Sequence, residues 1–467
     1  MPRRFEPCRP RGLAEVLVAA VAALHLAGFS GAPAQAEVPT TMPAAPGPPR
    51  AVVLLVGDGL GFSQIALARY AAKGRGGRLA FESMPVTGLV STWSASNFVT
   101  DSGAAATAFG SGVKTDNRYL GLDPERRPRR TLGEAAKEAG WRVGYVTNTR
   151  ITHATPACFY AHHSDRYDEE TVAAQLLDAD VDLALGGGLT YFLPVEKNGA
   201  RRDGRNLVEE ARERGTRVLL RNDIPAWNGE GRLIGLFANS HLAYELDDRN
   251  YPRSRRDPTL AVLARTALDG LSRGDRPFFL MLEGGRIDHA GHEFDAAGVV
   301  AETLRFDEAV QVVLDWAEQH PDTLVLLTAD HATGGLALND FARWDALSQR
   351  TASVSWLASQ IRNAGADAAL LAAKTGWTEW TAEEVAAVRS APDSYEANRR
   401  LGRMLALRDG FTWSAKVTDD DTHGHTGEDV PVYASGPGAE RFGGTLDNTD
   451  VARRIAALLD WDIGSFE

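Results

Sequence analysis

From Ala51 onward, short apolar runs alternate with longer amphipathic stretches. The runs 51–56 (AVVLLV), 142–147 (RVGYVT), 181–185 (VDLAL), 278–282 (FFLML) and 322–328 (DTLVLLT) have the length and composition of buried strands. Between them, 131–139, 170–178, 259–272 and 301–318 read as amphipathic helices. Strands alternating with helices need crossovers, so the pattern predicts an α/β fold with a central, mainly parallel sheet flanked by helices on both faces. The stretch 340–422 breaks the alternation, with weaker strand signals, helical pieces and Trp344, Trp356, Trp377, Trp380 and Trp413. It reads as an insertion that caps the site.

The start of the chain follows other rules. Arg3, Arg4, Arg9 and Arg11 precede an apolar run from Leu13 to Phe29, and Ala34-Gln35-Ala36 supplies small residues for cleavage. That pattern predicts a signal peptide over 1–36 and export to the periplasm or beyond the cell. A membrane anchor fits less well, because the run is short and holds Glu15 and His25. The Arg3-Arg4-Phe5 start has a twin-arginine pair without the rest of that signal, so the export route stays open. Residues 37–50, rich in Pro, Ala and Thr, predict a flexible lead-in to a domain over 51–467.

Composition narrows the function. The 467 residues, 44% hydrophobic and 24% charged, suffice for a large enzyme core. A net charge of -12, with both signs interspersed, excludes the clustered basic surface that nucleic-acid binding needs. Of two cysteines, Cys8 leaves with the signal, so the mature chain keeps Cys158 and no internal disulfide. Cys158 is expected to be a buried, inert thiol.

In parallel sheets, ligands bind beyond the carboxyl ends of the strands, where this chain places its polar residues. Asp58 follows the first run, Glu283 and Asp288 follow Leu282, and Asp330-His331 follow Thr328. In TDSGAAATAFGSGVKT (100–115), Ser102 opens a helix of small residues. Asp101 or Ser102 could simply cap that helix, yet a helix start also gathers anions and stabilises an alkoxide. A serine needs a base or a metal for activation, and no GxSxG elbow is present. Metal ligands are at hand: Asp288 and His292 stand four apart in EGGRIDHAGH, Asp330 and His331 are adjacent, and His425 lies in a Gly-rich loop.

Together these segments resemble the alkaline phosphatase family, in order and over nearly the whole mature chain. The matching motifs are VGDG (56–59), TDSGAAATAFGSGVKT (100–115), HATPA (153–157) with Arg166 beyond it, LGGG (185–188), EGGRIDHAGH (283–292), TADH (328–331) and HTGEDVPVYASGP (425–437). The resemblance implies one zinc held by Asp288, His292 and His425, and a second held by Asp58, Asp330 and His331 that touches Ser102. It implies a magnesium at Asp58, Thr155 and Glu283, with Arg166 gripping two phosphate oxygens in the bidentate manner of a guanidinium. Nitrogen-rich sites suit zinc and all-oxygen sites suit magnesium. Ser102 becomes the nucleophile of a broad-range phosphomonoesterase with an alkaline optimum, acting on small-molecule phosphate monoesters through a phosphoserine. A homodimer is common among such proteins.

The chain carries His153 and His289 near the third ion, the pairing of animal-type members, which leaves that ion's identity open; both are expected beside the substrate. His162 and His163 fall on no motif. Relatives with a calcium site carry Glu after the Phe of the segment matching LIGLFANSH, whereas Ala238 follows Phe237 here, so calcium is not expected. A sulfatase or diesterase would share the ligand framework with a different nucleophile segment, and a phosphate-binding protein without turnover would not need Ser102 and Arg166 together with every ligand.

Overall fold

The computed structural model describes residues 47–221, 223, 225–248, 250–252, 256–415, 422 and 424–463. The expected leader, and the lead-in as far as residue 46, lie outside them. Eight strands precede residue 330: β1 (Ala51–Gly57), β2 (Val86–Ser91), β3 (Arg142–Arg150), β4 (Leu183–Gly187), β5 (Thr216–Leu220), β6 (Arg232–Leu236), β7 (Phe278–Gly284) and β8 (Thr323–Ala329). With Val430–Ser435 and Gly444–Asp447 they form a ten-stranded sheet in the order Gly444–Asp447, β2, Val430–Ser435, β8, β1, β7, β3, β4, β6, β5. Every pairing is parallel except those of Val430–Ser435, which runs against both β2 and β8.

The all-apolar stretch of β1 follows from its place, since a central strand covered on both faces has no side to expose. Helices flank the sheet. Phe62–Lys73 and Leu260–Leu271 both pack on the long helix Ala296–Gln319, and Ser102–Ser111 packs against Asn448–Leu459. Side-chain caps start three of them: Thr259 accepts from Val262 N, Asp295 from Gly298 N, and Asp101 from Ala104 N.

Register levels the strand ends. Val56 of β1 lies beside Glu283 of β7 and Thr328 of β8, and Gly57 lies beside Gly284 and Ala329. The residues that follow therefore emerge side by side on one edge.

Between residues 340 and 422 the helices Val354–Asn363, Ala368–Thr375, Ala382–Arg389 and Ser394–Asp409 gather a separate apolar cluster from Ala352 to Leu405. Leu347 and Phe411, nearer the ends of that stretch, belong to the main core. The cluster docks through polar contacts: Asp247 accepts from Ser353 N and Oγ, Asp295 from Val354 N, and Glu293 from Asn398 Nδ2.

Candidate functional site

Ser102 is the first residue of the helix Ser102–Ser111 and is buried. Its Oγ lies 3.3 Å from His331 Nε2. Asp101 does two things at once: Oδ1 caps the helix at 2.9 Å from Ala104 N, and Oδ2 accepts from Arg166 NH1 at 3.0 Å. Arg166 NH2 in turn lies 3.3 Å from His153 Nε2. The carboxylate of Asp101 keeps the Arg166 guanidinium charged despite burial, and each terminal nitrogen retains a further N–H for a ligand.

The levelled strand ends bring the remaining residues together. Three groups converge closely enough to share an ion: Asp288 with His292 and His425, Asp58 with Asp330 and His331, and Asp58 with His153 and Glu283. In the first, the helix Arg286–His292 places Asp288 and His292 on one face, with Oδ2 and Nε2 3.1 Å apart. His425 Nδ1 lies 3.0 Å from the Thr100 carbonyl, so it donates there and leaves the Nε2 lone pair facing the group. In the second, Gly59 N donates to Asp330 Oδ1 at 3.0 Å. Gly59 adopts φ +71, and a Cβ there would stand 2.8 Å from Asp288 Cα, so the VGDG turn needs glycine to bring the backbone this close.

Around the third, Thr147 and Thr149 both donate to Glu283 Oε2, the latter at 3.0 Å. Thr155 Oγ1, Asp58 Oδ1 and Oδ2, Glu283 Oε1, Asp330 Oδ2 and His153 Nδ1 are buried without a hydrogen-bond partner. Burial and the neighbouring carboxylates push Asp58 well above the usual carboxylate range, and burial raises Glu283 to about 7. Asp288 goes the other way: burial opposes its ionisation, but His292 and His425 pull it well below its ordinary value. Buried acids with orphaned oxygens are costly unless a cation completes them, and the carboxylate and imidazole donors fit divalent metal.

Sequence reasoning missed the orienting residues. Thr333 Oγ1 donates to Asp288 Oδ1 and lies 3.3 Å from His331 Nδ1. Asp101 was legible as a cap, whereas its hold on Arg166 joins segments far apart in the chain. His289 lies beside His153, ring centroids 5.5 Å apart, and His241, unmarked by any motif role, completes a trio at 5.6 and 4.4 Å. His162 instead lies 3.0 Å from Glu134 Oε1, and His163 lies 3.4 Å from Asp168 Oδ2. Burial pushes the Cys158 thiol up to about 12, which makes it unreactive.

The alkaline phosphatase family model matches residues 49–461. Alkaline phosphatase 3 of Bacillus subtilis is 33% identical over 434 residues, covering 88% of this chain and 89% of that protein. The streptomycin-6-phosphate phosphatase of Streptomyces griseus is 32% identical over 461 residues, covering 89% and 91%. Among solved structures, the alkaline phosphatase of Thermus thermophilus superposes with a TM-score of 0.80 at 29% identity, covering 91% of this chain and 94% of that one. Within the described residues, no helix is long and apolar enough to cross a membrane. With its sheet, its clustered carboxylates and imidazoles, and a match of this extent, the chain belongs to the metal-dependent alkaline phosphatase family, enzymes that hydrolyse phosphate monoesters.

Proposed function

We propose that the chain hydrolyses small phosphate monoesters through a phosphoserine on Ser102, at a site holding two zinc ions and one magnesium, with a broad range of alcohols and an alkaline optimum. The observation that carries this reading is the convergence of three ligand groups around the Ser102 hydroxyl, 3.3 Å from His331 Nε2, with Arg166 anchored alongside. Asp288, His292 and His425 would hold one zinc, Asp58, Asp330 and His331 the other, and Asp58, Thr155 and Glu283 the magnesium, with His153 adjoining. When bound, such cations supply Lewis-acid stabilisation of the attacking and leaving oxygens and a water of pKa near about 7.

The chain's own residues do the rest. The Ser102 hydroxyl gives up its proton, and its oxygen bonds to phosphorus as the ester P–O bond breaks in line; the departing alkoxide takes a proton from solvent. Water then attacks the phosphoserine from the vacated side, releasing inorganic phosphate and restoring the hydroxyl. Arg166 holds two equatorial oxygens, and the helix start faces the developing charge. None of these contacts requires a particular alcohol. One relative's name assigns it streptomycin 6-phosphate, an example of how far that alcohol can vary.

The test is hydrolysis of a chromogenic phosphate monoester at alkaline pH after chelation, then after zinc and magnesium are returned. Activity lost and restored is expected; inactivity with ions shown to be bound overturns the reading. Ser102→Ala should lose phosphoenzyme formation and keep its metal, and burst kinetics surviving in that variant would reject Ser102. We also propose cleavage after Ala36 on export, the 340–422 insertion as a cap over the site, and a homodimer; amino-terminal sequencing of exported protein, deletion of 352–405 with substrate profiling, and light scattering test these in turn.

A further inference from the structure

His241, in the LIGLFANSH segment, has no part in the chemistry above, yet it stands one ring beyond the residue that touches Arg166. Its ring centroid is 5.6 Å from that of His153 and 4.4 Å from that of His289. Its Nδ1 lies 3.3 Å from the backbone N of Arg150. Its Nε2 meets the Arg150 guanidinium nitrogen NH1. Both ring nitrogens therefore face donors, and whichever carries the proton of the neutral ring has an N–H without an acceptor.

His289 repeats the arrangement. Its Nδ1 faces Arg286 NH1 at 2.8 Å and accepts from it, which puts the proton on Nε2, where the described residues offer no acceptor. Arg150 spends its other nitrogens on Glu169, with Nε 2.8 Å from Oε2 and NH2 2.7 Å from Oε1, leaving NH1 to His241 and a long contact to Ser240 Oγ at 3.4 Å. Arg286 stacks on Tyr244, 3.6 Å from the ring centroid, and its Nε is buried and unpartnered. No carboxylate of the described residues forms an ion pair with it: Glu302 serves Glu245 N and Asn148 Nδ2, while Glu293, which feels the charge of Arg286, gives one oxygen to Asn398 Nδ2 and keeps the other unpartnered.

The half-buried rim beyond His153 thus gathers two guanidinium groups and two imidazoles, with N–H groups of His241 and His289 and the Nε of Arg286 left without an acceptor. Donors without acceptors are satisfied by an anion. We propose that Arg150, His241, His289 and Arg286 form a second anion subsite beside the reacting phosphate, selecting phosphate monoesters that carry a second phosphoryl group. His153 touches Arg166 at 3.3 Å and His241 lies one ring further, 5.6 Å between centroids, so the His153 ring separates the two anions and the ligand class is a sugar with phosphoryl groups on separate carbons. This rests on the phosphatase reading for the first phosphate.

The test uses the metal-loaded full chain with Ser102→Ala, so that ligands bind without being consumed. Calorimetric titration should show fructose 1,6-bisphosphate binding at least tenfold more tightly than fructose 6-phosphate. Adding His241→Phe, which keeps the ring packing and removes the N–H, should shrink that preference to within twofold while leaving affinity for the monophosphate unchanged. Arg286→Gln should shrink it severalfold. Equal affinity of the two ligands in the Ser102→Ala protein, or a preference surviving both substitutions, overturns the subsite. Turnover of p-nitrophenyl phosphate by the unsubstituted enzyme reports separately on the phosphatase reading: a binding preference without turnover would retain the subsite and reject that function.

Discussion

Two sets of buried acids in this molecule differ in how their oxygens are used. Asp247, Asp295 and Asp409, at the seam with the cluster Ala352–Leu405, have every oxygen occupied by the chain. Asp247 takes Ser353 N and Oγ at 2.8 and 2.7 Å, Asp295 takes Gly298 N and Val354 N at 2.9 and 2.8 Å, and Asp409 takes Arg350 NH2 and Trp377 Nε1 at 2.8 Å each. At the sheet edge, Asp58 has both oxygens without a hydrogen bond, and Glu283 and Asp330 have one each. The difference separates acids that hold the protein together from acids that the fold holds open at its own cost.

Substitution should expose the contrast. Asp58→Ala should lower phosphatase activity by roughly a thousandfold or more through lost metal. In the metal-free protein the same change should raise stability by about 1 kcal/mol, because a desolvated acid among like charges is removed. Thermal unfolding with and without zinc and magnesium reads both signs; destabilisation in both states would dissolve the contrast. Asp409→Ala should instead cost about 3–5 kcal/mol in either state by stranding the buried Arg350, while metal content and activity per folded molecule persist. Chemical denaturation with metal analysis checks it.

The smallest effect is one of pH. Burial raises Asp247 from 3.8 to about 6. The folded state therefore binds this proton more tightly than the unfolded chain, so its contribution is fully present below about 3.8 and is lost as pH climbs through about 6. The loss should be on the order of 3 kcal/mol and absent in Asp247→Asn. Parallel stability curves for the two proteins between pH 4 and 7 would reject it.

The central strands were legible because β1, β7 and β8 are covered on both faces and read as unbroken apolar runs. β2, half exposed with Thr87 and Leu89 outward, carries no such run, and edge strand β5 is interrupted by exposed Arg217. The residues of the three converging groups could be picked out because they sit in short contiguous segments near strand ends. Asp101 on Arg166, Thr333 on Asp288 and the His153, His241 and His289 trio are tertiary facts, made by segments with no local signature of one another. At 340–422 the pattern registered a change of regime; that the separate cluster starts at Ala352, with Leu347 and Phe411 left to the main core, emerges from packing alone.

The reversed strand Val430–Ser435 has a consequence for the order in which the enzyme is made. Parallel strands hand their candidate ligands to the edge as the chain leaves them, but this strand is entered from that edge, and His425 arrives on the way in. Asp288 and His292 emerge from the ribosome well before His425, the residue their group still lacks. On the proposed reading, the group of Asp288, His292 and His425 stays incomplete until nearly the whole polypeptide exists, so a product cut short before His425 lacks one of the three candidate ligand groups.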